Sequence, residues 1–595
     1  DIIWIQVAIL AIIYIIFQRE DDNLGEPVKY PTSDLTLAIE AVDVNGDKYN
    51  DLVLVTDNQD KPLHIRFGLK TGQLGPEINY FIEKPFAFDF ADIDKTQVKE
   101  LLTIDYHSGR LNCYQLTDKK QKDDQWVSLL YPLSDGDSSS QRDLIKADLN
   151  QDGLSDLIVS EPKAAEIVLY KQLKGLGFVE PVRFPSFSDI KSLSVFDGDK
   201  LAVISVKEKL IGLSRYKDDR IGFPEPLGIT GEPLAMEVSD MDGDEVSDCV
   251  YVSKDKENAR SLRVIYSLSR DDQSSDVEAV KLAELLANPE GIKIADVDQD
   301  GLKDVLIFVK YETPTLVRQS SKGKFEIVDS PSSQMMLIKD AGMGSFSKVD
   351  MNGEDGEEIL LAQENFARSL IFEDGKRWKI LNQYNAKSRD NKIITAGAYD
   401  ILAKNEEPEI YLLDGQKGQL QILKTDKDGV YRFEKTVDVG NFNSNADHLK
   451  MIEIDSSARD KSLLIFDSSK FMVLSPTSYS YAKSSMSQLF TYESKIKDGA
   501  YGNMVSGNIN SDGKTDIVMV EYKRDYIEIL ALDAENQPAA AMRFKIFEEK
   551  NYRDKEGNKA SIEPREMKIA DVTGDGKNDL VTIIHDRVIV YPQDY

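Results

Sequence analysis

Six short stretches of this 595-residue chain place side-chain oxygens at alternate positions of a turn, a spacing suited to gripping a hard cation. In residues 296–304, Asp296, Asp298, Asp300 and Asp304 fall at loop positions 1, 3, 5 and 9. A backbone carbonyl is available at position 7, and Gly301 at position 6 permits the bend around one centre. The same set recurs as Asp43/Asn45/Asp47/Asp51, Asp148/Asn150/Asp152/Asp156 and Asp240/Asp242/Asp244/Asp248. It recurs again as Asn508/Asn510/Asp512/Asp516 and Asp571/Thr573/Asp575/Asp579. Lys48 and Glu245 take position 6 in two loops, which carry glycine at position 4 instead. Calcium takes six to eight oxygens, and these twenty-four residues are the predicted ligands of about six Ca2+ ions.

Two other readings of such loops compete. An EF-hand needs Glu at position 12 and a helix on each side. Position 12 here holds Leu54, Val159, Tyr251, Ile307, Met519 and Thr582, inside apolar runs, so the EF-hand is excluded. Asp-Gly turns also close hairpins without metal through Asx-turn hydrogen bonds. Against that stands the repeated acid at position 9, and three or four like charges crowded together are costly without a cation. The expected role of calcium is structural.

Catalytic chemistry has little to stand on. The four histidines, His64, His107, His448 and His585, lie in no nucleophile motif, and GxSxG, Walker A, HExxH and GxGxxG are missing in a fitting context. Cys113 and Cys249 are too far apart for a zinc spacing, and Cys249 reads as a buried strand thiol. The chain reads as a binding protein, not an enzyme.

The loops are positioned by a repeat of about fifty residues. Weaker copies start at Asp92 (Asp92/Asp94/Thr96/Glu100) and Asp350 (Asp350/Asn352/Glu354/Glu358), which retain enough oxygen to leave metal open. Eroded copies near Asp197, Asp400 and Asp455 have lost ligand oxygens, and no metal is expected there; the total is eleven. Each loop is preceded by a half-apolar segment and followed by a short β-branched run such as Val305 to Phe308 or Ile517 to Val520. Such runs predict strands buried on both faces. Four short strands per repeat make a blade, so the predicted class is all-β, a β-propeller.

The pattern D-x-[DN]-x-D-G-x-x-D-[LIV]-x-[LIV] resembles the FG-GAP/VCBS repeats of integrin-α-like and bacterial surface propellers, over residues 30 to 595. The resemblance implies calcium in each intact loop and a propeller used for adhesion, recognition or assembly. Rings hold about four to eight blades. Eleven repeats therefore predict two propellers, 30–335 and 336–595, with a seam at Ser330-Pro331-Ser332-Ser333.

The N-terminus differs. Residues 2–17, IIWIQVAILAIIYIIF, predict an apolar helix within residues 1–20, serving as a transmembrane or signal anchor. An uncleaved signal-peptide core and a buried core helix are the competing readings. An anchor places the rest of the chain outside the cytoplasm, in a periplasm or at a cell surface.

Charge narrows the partners. A formal net charge of −31 excludes a nucleic-acid partner, which needs a basic face, and disfavours anionic lipid surfaces. The expectation is an interaction or assembly scaffold contacting other protein subunits of a membrane or surface complex. A carbohydrate-active propeller, a polysaccharide lyase or a lectin-like sugar binder, is the alternative.

Overall fold

The computed structural model describes residues 2–8, 12–17, 25, 27–118, 126–133, 142–268, 276–283, 285, 287–329, 336–339, 341–351, 357–401, 407–440, 442, 449–456, 461–467, 469–475, 484–497, 499–546, 563–584 and 587–593. Every regular element among them is a β-strand. The chain forms two compact units, one from residues 1–122 and 481–595, the other from 123–480. This division differs from consecutive propellers meeting near residue 335; the expected seam at 330–333 lies outside the described residues.

Among the described residues, 123–480 form a propeller-like ring of seven main antiparallel sheets, most of them four-stranded, with a separate two-stranded ribbon of Gln172–Leu173 and Gly177–Phe178. The strand just after each loop is the most apolar, because it lies between two neighbours in its own sheet and is covered on both faces by adjacent sheets. Asp156–Glu161 and Asp304–Phe308 are buried at every position. Side chains of successive sheets interdigitate: Ile158, Ile167 and Leu169 pack with Leu193, Leu201 and Val203, and Val250, Val252 and Val264 with Ile292, Val305 and Ile307. Each fully buried Val, Leu or Ile contributes about 1.5–3 kcal/mol, so stacking, not the loops, supplies most of the stability.

The ring closes by borrowing. The sheet built from Lys450–Asp455, Lys461–Phe466 and Lys470–Ser475 takes its fourth strand from Val127–Pro132, at the start of the unit. Tyr131 stacks on Phe471 at 4.7 Å, and Tyr170 of the first sheet and Phe178 of the two-stranded ribbon meet Phe471 edge-on. The first strands of all seven sheets surround one axial channel of roughly 650 Å³.

The other unit holds five sheets. Two have four strands and lie within one arm of the chain or the other, Thr36–Val42 to Leu74–Tyr80 and Tyr501–Gly507 to Pro538–Lys545. A third, Pro85–Ala91, Glu100–Asp105 and Leu111–Asp118, is completed by Ser484–Tyr492 from the far arm. Two have three strands: Glu566–Ala570 with Asp579–Ile584 and Arg587–Tyr591, and an N-terminal one.

That N-terminal sheet overturns the expected helix and, with it, the anchor, the membrane contact and the location inferred from the anchor. Ile2–Ala8 and Ile12–Phe17 pair as antiparallel strands, and Val28–Pro31 joins them. Isoleucine, branched at Cβ, loses rotamer freedom in a helix and suits a pleated surface. Ile13 and Ile15 are fully buried while Tyr14 and Ile16 are half-buried, a two-residue alternation, and the two isoleucines pack with Tyr30, Leu52, Leu54 and Leu74. Among the described residues, no helix is long and apolar enough to cross a membrane.

Candidate metal centres

Each Asp-rich loop joins the first and second strands of a sheet, and hydrogen bonds to its own backbone fix its shape. The carboxylate at position 1 gathers amides across the turn: Asp43 accepts from Gly46 N at 2.7 Å and Lys48 N at 2.9 Å. Asp240 accepts likewise from Gly243 and Glu245, and Asp571 from Gly574 and Gly576. The carboxylate at position 5 accepts from the amide two residues on, as Asp152 does from Leu154 N at 2.9 Å. Positions 4 and 6 are both left-handed. In the first loop these are Gly46 (φ 79°) and Lys48 (φ 75°), in the loop at Asp296 they are Gln299 (φ 59°) and Gly301 (φ 84°). Glycine therefore relieves one of two strained positions in either loop, which explains why it moves between them.

Position 9 departs from its sequence reading. Its carboxylate is buried and ties the loop to the sheet. Asp248 accepts from Met241 N at 2.7 Å and Ser267 N at 2.8 Å, Asp51 from Val44 N at 3.0 Å and Gly68 N at 2.9 Å, and Asp304 from Val297 N at 3.2 Å and Gln319 N at 2.8 Å. Asp156 holds Gln172 N, Asp516 holds Ile509 N, and Asp579 holds Val572, Thr573 and Gln593. An acid here thus has a structural reason independent of metal, so its repetition weighs less for calcium than the sequence suggested. Burial pushes Asp51 and Asp304 up to about 7, and Asp156 and Asp248 up to about 6; neighbouring loop carboxylates add to the rise and the amide bonds oppose it.

Three loops bring acids to one point. Carboxylate oxygens of Asp240, Asp242 and Asp248 lie within 4.8 Å of one another, as do those of Asp296, Asp298 and Asp300, and of Asp92, Asp94 and Glu100. Calcium with oxygens at about 2.3–2.6 Å fits between groups so spaced. Among the described residues, Asp43/Asp47/Asp51, Asp148/Asp152/Asp156 and Asp571/Asp575/Asp579 are not drawn together to that degree.

Two predicted position-5 ligands stand apart from the acid groups. Asp244 stands outside the group formed by Asp240, Asp242 and Asp248, and Asp575 belongs to no acid group among the described residues. Both are exposed, and each carboxylate is turned into its own loop: Asp244 accepts from Val246 N at 2.9 Å, and Asp575 from Lys577 N at 2.9 Å. Their amides in turn donate to Asp240 and Asp571 at 3.2 Å. Asp300 caps Leu302 N at 2.9 Å in the same way and still joins its acid group, so the cap alone does not separate Asp244 and Asp575 from their neighbours.

In the Asn-containing loops an amide bridges the acids instead: Asn45 donates to Asp47 at 3.0 Å, Asn150 to Asp152 at 3.0 Å, and Asn510 to Asp512 and Asp516 at 3.2 Å. Asn508 Oδ1 is buried with no hydrogen-bond donor, an acceptor that a cation would satisfy. Asn352 and Glu354 lie outside the described residues, and Glu358 holds Met351 N at 3.0 Å.

A third-strand residue, not nominated from the sequence, differs between these loops. Arg318 sits over the loop at Asp296, its guanidinium bonded to Asp298 and, at 3.0 Å, to Asp300. Gln115 holds the corresponding place over Asp92, donating to Asp94 at 3.1 Å and Glu100 at 3.0 Å. The signal was present only as register. Val317 pairs with Val305 and Tyr114 with Leu101, so Arg318 and Gln115 each fall one step further on, opposite the acid at position 9.

Of the histidines, His64 is buried in the strand Leu63–Gly68. Burial alone would lower its pKa, but Glu77 at 2.8 Å and Asp34 at 3.6 Å raise it overall. Glu77 engages Nδ1 and the Lys61 carbonyl meets Nε2 at 2.9 Å, and the hydroxyls of Ser33 and Thr56 lie 3.4 Å from Nδ1 and 3.3 Å from Nε2. His107 is exposed on a turn, edge-on to Tyr106 at 5.3 Å, and His448 and His585 lie outside the described residues.

No family model matches the chain, and no curated protein matches it. Among solved structures, BBS1N in complex with ARL6DN is 10% identical over 59% of this chain and 97% of that one, with a TM-score of 0.38. A functionally unknown protein from Desulfotomaculum acetoxidans is 14% identical over 56% and 98%, at 0.34. An Agrocybe aegerita lectin specific for non-reducing terminal N-acetylglucosamine is 13% identical over 64% and 90%, at 0.29. Likeness at this level assigns neither partner nor ligand.

Proposed function

We propose that the chain is a propeller-type interaction scaffold whose Asp-rich loops are stapled by calcium, and that its role is binding, not catalysis. The observation that carries the calcium reading is the meeting of Asp240, Asp242 and Asp248 within 4.8 Å, while none of the three forms an ion pair. Uncompensated like charges at such spacing are unfavourable, and a divalent cation relieves them. The loops starting at Asp43, Asp92, Asp148, Asn508 and Asp571 offer related oxygen sets; at Asp296 calcium would compete with Arg318. Calcium titration followed by thermal unfolding tests this: saturable stabilisation reduced by Asp242→Asn supports it, and an unchanged melting curve sinks it.

Docking is supported by an exposed aromatic group on the discontinuous unit. The Phe86 ring, 38% exposed, lies 5.7 Å from that of Tyr106, 55% exposed, and 6.3 Å from that of Tyr522. Clustered exposed rings mark interaction sites. Co-purification with mass spectrometry should return a protein partner that Tyr106→Ala loses. The same rings favour a second reading, a sugar-binding face; glycan binding by the purified chain, lost in Tyr106→Ala, would replace the first.

A further inference from the structure

The axial channel of the seven-sheet ring is lined by charge of both signs. Lys293, Lys348 and Lys450 surround the Glu237 carboxylate closely enough to act on it, and Asp143 is the other acid near Lys293. Three ammonium groups therefore face two carboxylates. Lys146, Lys191, Glu290 and Glu453 complete the charged lining with two of each sign, so the excess stays at one positive charge, in a chain of net charge −31. Most of the central charges are already spoken for. Lys450 bonds Asp143 and donates to Leu144 O at 2.8 Å, and Lys348 reaches Glu357 at 3.9 Å. Lys293 has no hydrogen-bond or ion-pair partner, although burial lowers its pKa and Glu237 opposes that fall. Glu237 accepts only from Ile294 N, at 3.1 Å, and does not pair with Lys293. The Ser194 hydroxyl also lines the channel, from the first strand of the second sheet, and is unbonded among the described residues. A half-buried ammonium without an acceptor is costly unless water or a ligand supplies one.

We propose that this channel binds a small organic carboxylate, held by a charge-assisted bond from Lys293 and by the hydroxyl of Ser194. The volume, roughly 650 Å³, is that of a small-molecule site. A carboxylate suits the cluster because a single charge neutralises the excess, whereas a nucleic-acid backbone would meet Glu237 and Asp143 at successive steps. The site is separate from the Asp-rich loops and does not depend on their occupancy by calcium.

Isothermal titration calorimetry on the full chain at low ionic strength, with butyrate as probe and neutral butyramide as control, tests it. Butyrate should bind and butyramide should not. Lys293→Met should weaken binding at least about tenfold, the scale of one charged hydrogen bond. Glu237→Gln should tighten it, a change of sign that a purely structural role would not give. Lys523→Met, in the other unit, should leave it unaltered. Equal binding of butyramide, no heat from butyrate with folded protein, or an affinity untouched by both channel variants overturns the proposal.

Discussion

Two loops in adjacent sheets of the seven-sheet ring, 240–248 and 296–304, carry aspartate at the same four positions, yet an arginine faces one and a tyrosine the other. Ser267 N meets Asp248 and Gln319 N meets Asp304, so Tyr266 and Arg318 are counterparts on their third strands. Arg318 neutralises Asp298, whose side chain is 1% exposed, and Asp300; its counterpart is a phenol that brings no charge. The acids gather differently as well. Asp300 joins its cluster at position 5, whereas Asp244 stays out and the buried Asp248 takes the third place. Ligand spacing therefore does not by itself fix the demand for calcium. On the proposed calcium reading, the residue facing the loop from the third strand sets that demand.

The strongest way to break the comparison is Arg318→Tyr. It strands the buried Asp298 carboxylate and should cost about 3–5 kcal/mol in chelator, measured by urea unfolding, with much of the loss recovered on adding calcium. Asp248→Ala comes next. It leaves the Met241 and Ser267 amides without acceptors, and at about 1–3 kcal/mol per unpaired group a loss of about 2 kcal/mol or more should appear with or without metal. Chelation of the unmodified chain should remove about 1.4 kcal/mol per occupied loop when free calcium had been tenfold above Kd. Asp242→Asn should shrink that response by one loop's share. The smallest effect is expected from Tyr266→Arg, which should add about 0.5–1 kcal/mol in chelator and make the 240–248 loop indifferent to calcium. A variant with unchanged calcium dependence would show that the arginine is not a substitute for the ion.

The sequence was informative where the cause is local. Turn chemistry, β-branched runs and a fifty-residue period led to all-β sheets and to the loops between their first two strands. It misled where one local pattern serves two structures. Residues 2–17 are apolar enough for a helix, but the alternation of Ile13 and Ile15 with Tyr14 and Ile16 belongs to a strand. Likewise an acid at position 5 caps the turn both at Asp300, inside an acid group, and at Asp244, outside one, a difference that spacing does not carry. The sequence was silent where the cause is distant. The amides that occupy Asp248 and Asp304 arrive on third strands through pairing register, and so does Arg318. The fourth strands Val127–Pro132 and Ser484–Tyr492 pair with Lys470–Ser475 and Leu111–Asp118, separations that no fifty-residue window contains.

The borrowed strand Val127–Pro132 also dictates an order of events at the ribosome. It is made first in its unit, but its partner, Lys470–Ser475, is made last. Through the synthesis of six sheets its unpaired edge, with Leu129 and Leu130 destined for burial, stays open to other chains. Long-range pairing of this kind is slow, and an exposed apolar edge is the usual starting point of aggregation during biogenesis. The nascent chain should therefore depend on a chaperone until residue 475 has emerged, and its yield should fall when translation outruns that protection.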